Sequence, residues 1–190
     1  MNPRTTLWIP AATLALLSMG CSDPAPTPAA VGLTLSVHAP FTSIPDSTCP
    51  STGQSSIGNP APNENPLDPG TRIQDGKSGV NVDCAVKGSS SFTVSAGITQ
   101  GALNFRVSGG KIDTATKSGT FNLNIFTPYA DNLASEADRP CTFDIMDAPL
   151  EASPGNLFAL YNCPALWNRE MSPHTACGAD GVLVLEFCAE

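Results

Sequence analysis

Apolar and polar residues alternate along the middle of the chain, and this pattern limits the possible folds more than any other feature. Apolar side chains occur at every second position in four short segments: 80–86, 92–98, 103–107 and 121–125. A period of two places successive side chains on opposite faces of a β-strand. Turn signals separate the segments at about the 8- to 12-residue spacing of antiparallel sandwiches. The sequence therefore predicts an all-β domain with an antiparallel β-sandwich or jelly-roll-like fold.

Further strands are predicted on both sides of this region. Alternation from Val31 to Val37 predicts a first strand, which ends before Pro40. Apolar residues predict later strands near Ile112 and at 141–146, 156–163 and 182–188.

Three segments lack the alternating pattern. Residues 39–76 are rich in Pro, Asn, Ser, Gly and Asp, and we expect a long loop attached to the body by a disulfide, with a disordered insertion as the alternative. Residues 129–138 form either one or two turns of helix or a long loop. Residues 164–181 are predicted to form a loop.

The first 20 residues have the three parts of an export signal. These are a positive charge at Arg4, an apolar run over 7–17 and small residues before Cys21. The run is shorter than the about 20 apolar residues that a transmembrane helix needs. Prolines then recur at alternate positions from Pro24 to Pro28, which favours an extended tether. We predict a signal peptide at 1–20, a tether at 21–30 and a single domain at 31–190.

The end of this signal resembles the bacterial lipobox. Gly20 and Cys21 occupy the motif's last two positions, and Leu17 lies one place before the usual leucine position, which is Ser18 here. The resemblance implies diacylglyceryl attachment to the Cys21 thiol, cleavage before Cys21 and acylation of the new amine. It also implies the outer membrane, because Ser22 stands where Gram-negative lipoproteins retained in the inner membrane carry Asp. An ordinary secretory signal beside an incidental cysteine is the alternative.

The overall layout is similar to that of small, cysteine-containing surface lipoproteins of Gram-negative soil bacteria, whose functions are largely unassigned. The shared features are the lipobox, the proline-rich tether, the β-rich body and the late cysteines. This resemblance implies a lipid-anchored envelope protein, on the periplasmic or the surface-exposed face, and implies no particular ligand.

Acidic residues dominate the charge of the mature chain. Without residues 1–20 it keeps eight basic and 17 acidic residues, a formal charge of −9. Binding to nucleic acids or anionic headgroups needs basic surface to neutralise phosphate. We therefore expect no nucleic-acid partner, and membrane attachment only through the lipid.

Six cysteines follow Cys21, and an even number in an exported chain predicts disulfides: Cys49, Cys84, Cys141, Cys163, Cys177 and Cys188. No two are close enough in sequence for a Cys-x-x-Cys zinc site. We predict three bridges. Our first pairing is Cys49 with Cys84, the second is Cys163 with Cys177 across the 164–181 loop, and Cys141 with Cys188 remains.

Catalytic chemistry has little support in the sequence. The chain has two histidines, His38 and His174, and no Gly-x-Ser-x-Gly elbow. A nucleophile needs a base beside it, and we expect the thiols to be consumed by disulfides. We predict a non-enzymatic protein with no catalytic residues, and a hydrolase is the least favoured alternative.

Two kinds of ligand site fit the residue types. Calcium would need clustered oxygen ligands, and the candidates are Asp68, Asp75 and Asp83 around a Gly-rich region and Asp131, Glu136 and Asp138 in one loop. Neither set has EF-hand spacing, so a solvated acidic surface is the preferred interpretation and no metal or cofactor is predicted.

Glycan binding is the second possibility, because β-sandwiches often bind sugars through aromatic and amide side chains. The candidates are Tyr129, Trp167, Asn122 and Asn124, with Phe126 beside them. The preferred function is a structural or binding module of the cell envelope, with an envelope protein or a glycan as its partner. A glycan- or calcium-dependent adhesive domain is the alternative.

Overall fold

The computed structural model describes residues 25–40, 48–49, 52–60, 70–145, 150–168 and 175–190. Within these ranges the chain forms twelve strands and no helix: β1 (Ala30–His38), β2 (Gly53–Ile57), β3 (Ile73–Gln74), β4 (Val80–Gly88), β5 (Ser91–Gln100), β6 (Leu103–Asp113), β7 (Ser118–Thr127), β8 (Ala130–Ala134), β9 (Cys141–Asp144), β10 (Glu151–Ser153), β11 (Asn156–Asn168) and β12 (Thr175–Glu186). The predicted signal peptide and Cys21 lie outside the described residues.

The strands form one continuous antiparallel sheet. Their order is β2-β1-β12-β11-β8-β7-β6-β5-β4, with β3 on β1, β10 on β11, and β9 paired with both β7 and β11. The all-β, antiparallel class is therefore confirmed. The ladder does not separate into two sheets, so the sandwich or jelly-roll arrangement is not confirmed.

The four alternating segments form β4 to β7, as predicted. Their apolar positions are buried, and the residues between them face outward. The strand predicted near Ile112 is the end of β6, which continues past a bulge between Ser108 and Lys111. Gly109 lies in this bulge with a φ of 61°, a backbone conformation that favours glycine.

Aromatic side chains pack at the centre of the core. The rings of Phe121 and Phe143 are stacked with centroids 4.0 Å apart, and the rings of Phe105 and Tyr161 meet edge to face at 5.5 Å. Phe105, Phe121 and Phe143 are almost fully buried. Since they come from β6, β7 and β9 while Tyr161 comes from β11, this cluster joins elements that are distant in sequence.

The loop prediction for 129–138 is wrong in its first half, and so is the helical alternative. Residues Ala130–Ala134 form β8, which pairs with β7 through Leu133 opposite Ile125. Leu133 is buried, and the Ser135 amide donates to the Leu123 carbonyl. A strand burying one apolar side chain is favoured here because it extends the adjacent ladder, and the local composition carries no sign of this.

The loops predicted at 39–76 and 164–181 both contain strand residues where the structure describes them, a minority in the first and all of them in the second. The first contains β2 and β3, which pair with β1. In the second, β11 continues to Asn168 and β12 begins at Thr175. A register shift between Cys163 and Leu166 accommodates the exposed Pro164 within the strand, so this proline does not end it.

Three disulfides form from the six predicted cysteines, and each of our three pairings is wrong. The bridges are Cys49–Cys177, Cys84–Cys188 and Cys141–Cys163. Each joins adjacent segments. Thr48 bridges to Thr175, Ala85 bridges to Ala189, and β9 pairs with β11 at Thr142 opposite Asn162. Strand order therefore decides the pairing.

No helix in the described part of the chain has the length and apolar character needed to cross a membrane.

Candidate ligand-binding face

The outward-facing side chains of six neighbouring strands line up in a row across the sheet. Consecutive strand pairings place its members directly opposite one another, in the order Asp83, Gly97, Arg106, Asn124, Ala134 and Trp167. Residues directly opposite in a sheet project from the same face. We call this set the transverse row. Asp83, Arg106 and Asn124 are exposed, and the other three are half-buried.

A second row runs beside the first, two residues along each strand. It contains Asn81, Thr99, Asn104 and Phe126. The Asn81 amide donates to the Thr99 hydroxyl at 3.4 Å. The outer face of this half of the sheet therefore presents mostly amide, hydroxyl and charged groups.

A groove of about 650 Å³ lies at the Trp167 end of the transverse row. Its walls include Asn124, Asn132, Glu136, Asp138 and Trp167. The Asn124 amide donates to the Asn132 side-chain oxygen at 3.2 Å, which holds both amides at the groove. The indole Nε1 of Trp167 is buried and has no acceptor among the described residues. A buried donor without a partner is costly, and because this atom is closed off from solvent it does not add a hydrogen-bonding group to the groove.

A second groove of about 720 Å³ lies over β4, β5 and β6 at the other end of the row. Asp83, Gly97 and Arg106 line it. Arg106 makes no salt bridge within the described ranges, whereas Arg72 pairs with Glu186 and His38 lies against Asp180. The Asp75 carboxylate accepts the Val82 amide at 2.8 Å, so it holds the turn before β4.

The structure unites some of the predicted glycan residues and separates others. Asn124 and Trp167 line one groove, whereas Asn122 lies two residues along β7 opposite Ser108. Phe126 is exposed in the second row. Tyr129 packs elsewhere, because its ring covers Gly53 of β2 and its hydroxyl lies 2.9 Å from the Ser55 hydroxyl.

Sequence reasoning missed Gly97, Arg106 and Ala134 as possible members of a binding face, and it considered Asp83 only as a calcium ligand. Alternation along β4 and β6 places Asp83 and Arg106 on the outer side of their strands. Only the cross-strand register shows that these residues form a row with Trp167.

The calcium candidates come together only in pairs where the structure describes them, and Asp75 and Asp83 both line the groove over β4, β5 and β6. Asp68 and the side chain of Asp131 lie outside what the structure describes, while Glu136 and Asp138 line the Trp167 groove. Among the described residues, no three His, Cys, Asp or Glu side chains converge as metal ligands. The carboxylates of Glu136 and Asp138 can accept hydrogen bonds at this groove.

The side chain of His38 makes contacts that hold the structure together. His38 Nδ1 donates to the Ala39 carbonyl at 2.7 Å, and Nε2 lies 2.8 Å from an Asp180 carboxylate oxygen. The ring also lies against Gly178, where a methyl group would collide with it. Both ring nitrogens are thus engaged, and the six cysteines of the domain are oxidised. His174 lies outside the described residues.

Tyr161 is the one group whose pKa departs clearly from its ordinary value in the described part of the chain. Burial raises the pKa of this phenol well above its usual range, with smaller contributions from Asp180 and Tyr129. Its hydroxyl donates to the Thr34 carbonyl at 2.8 Å. The phenol is therefore held neutral as a structural donor on the core side of the sheet.

Compared with protein-family models, curated proteins and solved structures, the chain matches none of them. Its function must therefore be inferred from its own residues.

Proposed function

We propose that this chain is an exported, lipid-anchored module of the bacterial cell envelope, and that its β domain binds a partner without catalysing a reaction. The observation that carries the proposal is the pairing of all cysteines except the one at the lipobox position. Six of the seven cysteines are joined in three disulfides, which leaves Cys21 at the lipobox position. Disulfides persist in oxidising compartments such as the periplasm, so the bridges support export and the remaining cysteine supports lipidation.

The physical properties of the anchor agree with this role. One acyl chain binds a membrane only marginally, whereas two or more hold a protein stably. The eight residues from Ser22 to Ala29, which precede β1, would extend roughly 25 Å at about 3.1 Å per residue in a polyproline conformation. Such a tether holds β1 away from the lipid surface and leaves the outer face of the sheet accessible.

Substituting the proposed lipidated cysteine tests the anchor directly. Cys21→Ala in a Gram-negative host should move the protein from the membrane fraction to the soluble envelope fraction and abolish palmitate labelling. The neighbouring Ser22→Ala variant is the matched control and should remain anchored and labelled. Membrane retention of Cys21→Ala at the wild-type level would show that the N-terminal segment is not a lipoprotein signal.

Glycan binding is a second candidate, and the Trp167 groove favours it. An indole offers a flat apolar surface for the C–H face of a sugar, while the side chains of Asn124, Asn132 and Glu136 beside it offer hydrogen-bonding groups. Ligand sites commonly combine an aromatic surface with a few convergent polar groups. The outer-membrane location proposed above would place this groove among envelope glycans.

Removing the indole should weaken glycan binding. Trp167→Ala is expected to lower the affinity for a bound polysaccharide about tenfold or more, as measured by affinity electrophoresis in cellulose-, chitin- or starch-derived matrices. Phe187→Ala is the control, because Phe187 is an exposed aromatic residue that does not line this groove. Equal retention of wild type and Trp167→Ala would contradict a role for this groove.

A further inference from the structure

This inference rests on the glycan-binding candidate above. We infer that the ligand is an extended, neutral oligosaccharide that lies across the strands along the transverse row, and not a single terminal sugar held at Trp167. The transverse row sets the length, direction and charge that we expect of the ligand.

The row is long enough for several sugar units. It crosses β4, β5, β6, β7, β8 and β11, which are consecutive in the sheet. Five steps between strands at about 4.8 Å give a track of roughly 24 Å. A groove lies at each end, one lined by Trp167 and Asn124 and the other by Arg106, Gly97 and Asp83.

The shape of the row favours a saccharide chain that lies along it. Gly97 has no side chain and Ala134 has only a methyl group, so the row is low at β5 and β8. A methyl group built on Gly97 would contact only the Asp83 carbonyl oxygen, at 3.9 Å, which leaves open space above this strand. The small residues therefore leave room for a ligand where bulky side chains would block its path.

The chemistry of the row suits hydroxyl groups, which both donate and accept hydrogen bonds. Asp83 accepts, Arg106 donates and Asn124 can do both, while Trp167 provides a surface for stacking. Neutral glycans are favoured over polyanions, because Arg106 is the cation of the row and Asp83, Glu136 and Asp138 line the two grooves. These carboxylates would repel an anionic chain.

A variant that blocks the middle of the row tests whether the ligand lies along the whole row or binds only at the Trp167 groove. Gly97→Ile places a branched side chain at a position that has an ordinary φ and no close neighbour, and isoleucine is favoured in strands. Isothermal titration with cello-, chito- and malto-oligosaccharides from dimer to hexamer measures the result. In the oligosaccharide series that binds, wild type should prefer the hexamer. Gly97→Ile should weaken binding of the hexamer about tenfold and leave binding of the dimer unchanged.

Two further variants make the outcome specific. Thr93→Ile adds the same side chain to an exposed position of β5 that is four residues, or about 13 Å, from Gly97, and it should bind like wild type. Arg106→Ala removes a donor from an exposed position and should also weaken the hexamer selectively. This variant keeps the test valid if Gly97→Ile lowers the melting temperature.

The results distinguish the track from the underlying function. Binding that is independent of chain length and unchanged in Gly97→Ile and Arg106→Ala would overturn the track, while sensitivity to Trp167→Ala would still support glycan binding. If wild type binds none of the three oligosaccharide series and none of their parent polysaccharides, both the glycan-binding function and the proposed track are wrong.

Discussion

Removing the Cys84–Cys188 disulfide should lower the free energy of unfolding by about 4 to 5 kcal/mol, as estimated from the chain-entropy treatment of loop closure. The bridge closes a loop with a sequence separation of 104 residues, so its loss frees a large part of the unfolded chain. It also fixes the C-terminal segment to β4, where Ala189 exchanges backbone hydrogen bonds with Cys84 and Val86. The melting temperature should fall by roughly 10 to 15 °C.

The Cys141–Cys163 bridge provides the matched comparison, because its sequence separation is only 22 residues. Its removal should cost about 3 kcal/mol by the same argument. Double alanine variants are preferred for both bridges, since all four cysteines are buried and an unpartnered serine hydroxyl would add its own desolvation cost. Guanidinium unfolding measures both variants. A greater loss from the short bridge than from the long one would show that loop entropy does not dominate.

The half of the sheet made by consecutive hairpins could be predicted from the sequence. In β4 to β7, every element pairs with the next one along the chain. Alternation identifies the buried face of each strand, and turn residues such as Gly101 mark where the chain reverses. Local information is therefore sufficient there.

The other half depends on contacts that no local pattern encodes. The last strand, β12, lies between β1 and β11, and Leu33 pairs with Leu183. Apolar residues of β1 and β12 would suit several neighbours equally well. The disulfide pairings follow from this order, because Cys49 reaches Cys177 only when β12 lies beside β1. The first two predicted pairings assumed partners that were close in sequence, and the third was the pair that remained.

The candidate site was predictable by residue type but not by arrangement. Asn124 and Trp167 were suggested by their chemistry, and the structure places them in one groove through the pairing of Ala134 with both. A register slip of one residue would turn every side chain of a strand to the opposite face. The transverse row could therefore be identified only once the register of five strand pairs was known.

Tyr161 lies where the ladder between β1 and β12 opens. Pairing stops at Leu33 opposite Leu183 and resumes at Ser36 opposite Asp180. Across the gap, the Val182 amide donates to the Thr34 hydroxyl, and the Tyr161 hydroxyl donates to the Thr34 carbonyl. Gly181 makes room for this arrangement, since a methyl group there would collide with the Thr34 carbonyl oxygen.

Tyr161→Phe should lower the free energy of unfolding by about 1 to 3 kcal/mol at neutral pH, because it leaves the Thr34 carbonyl without its donor. The stability difference between wild type and Tyr161→Phe should become smaller at alkaline pH. Burial raises the pKa of Tyr161 in the folded protein, whereas the unfolded phenol releases its proton near pH 10. The wild type therefore has this stabilisation in full below about pH 10 and loses about 1.4 kcal/mol per pH unit above it.

Urea unfolding of wild type and variant at several values from pH 8 to above pH 10 tests this dependence. The stability gap between wild type and Tyr161→Phe should stay constant up to about pH 10 and narrow beyond it. Tyr129→Phe is the control for phenol content, because Tyr129 is half-buried and bonds to Ser55 at the edge strand. This control should keep the alkaline loss of the wild type. A gap that stays constant across the whole range would mean that Tyr161 does not carry the alkaline sensitivity of the wild type.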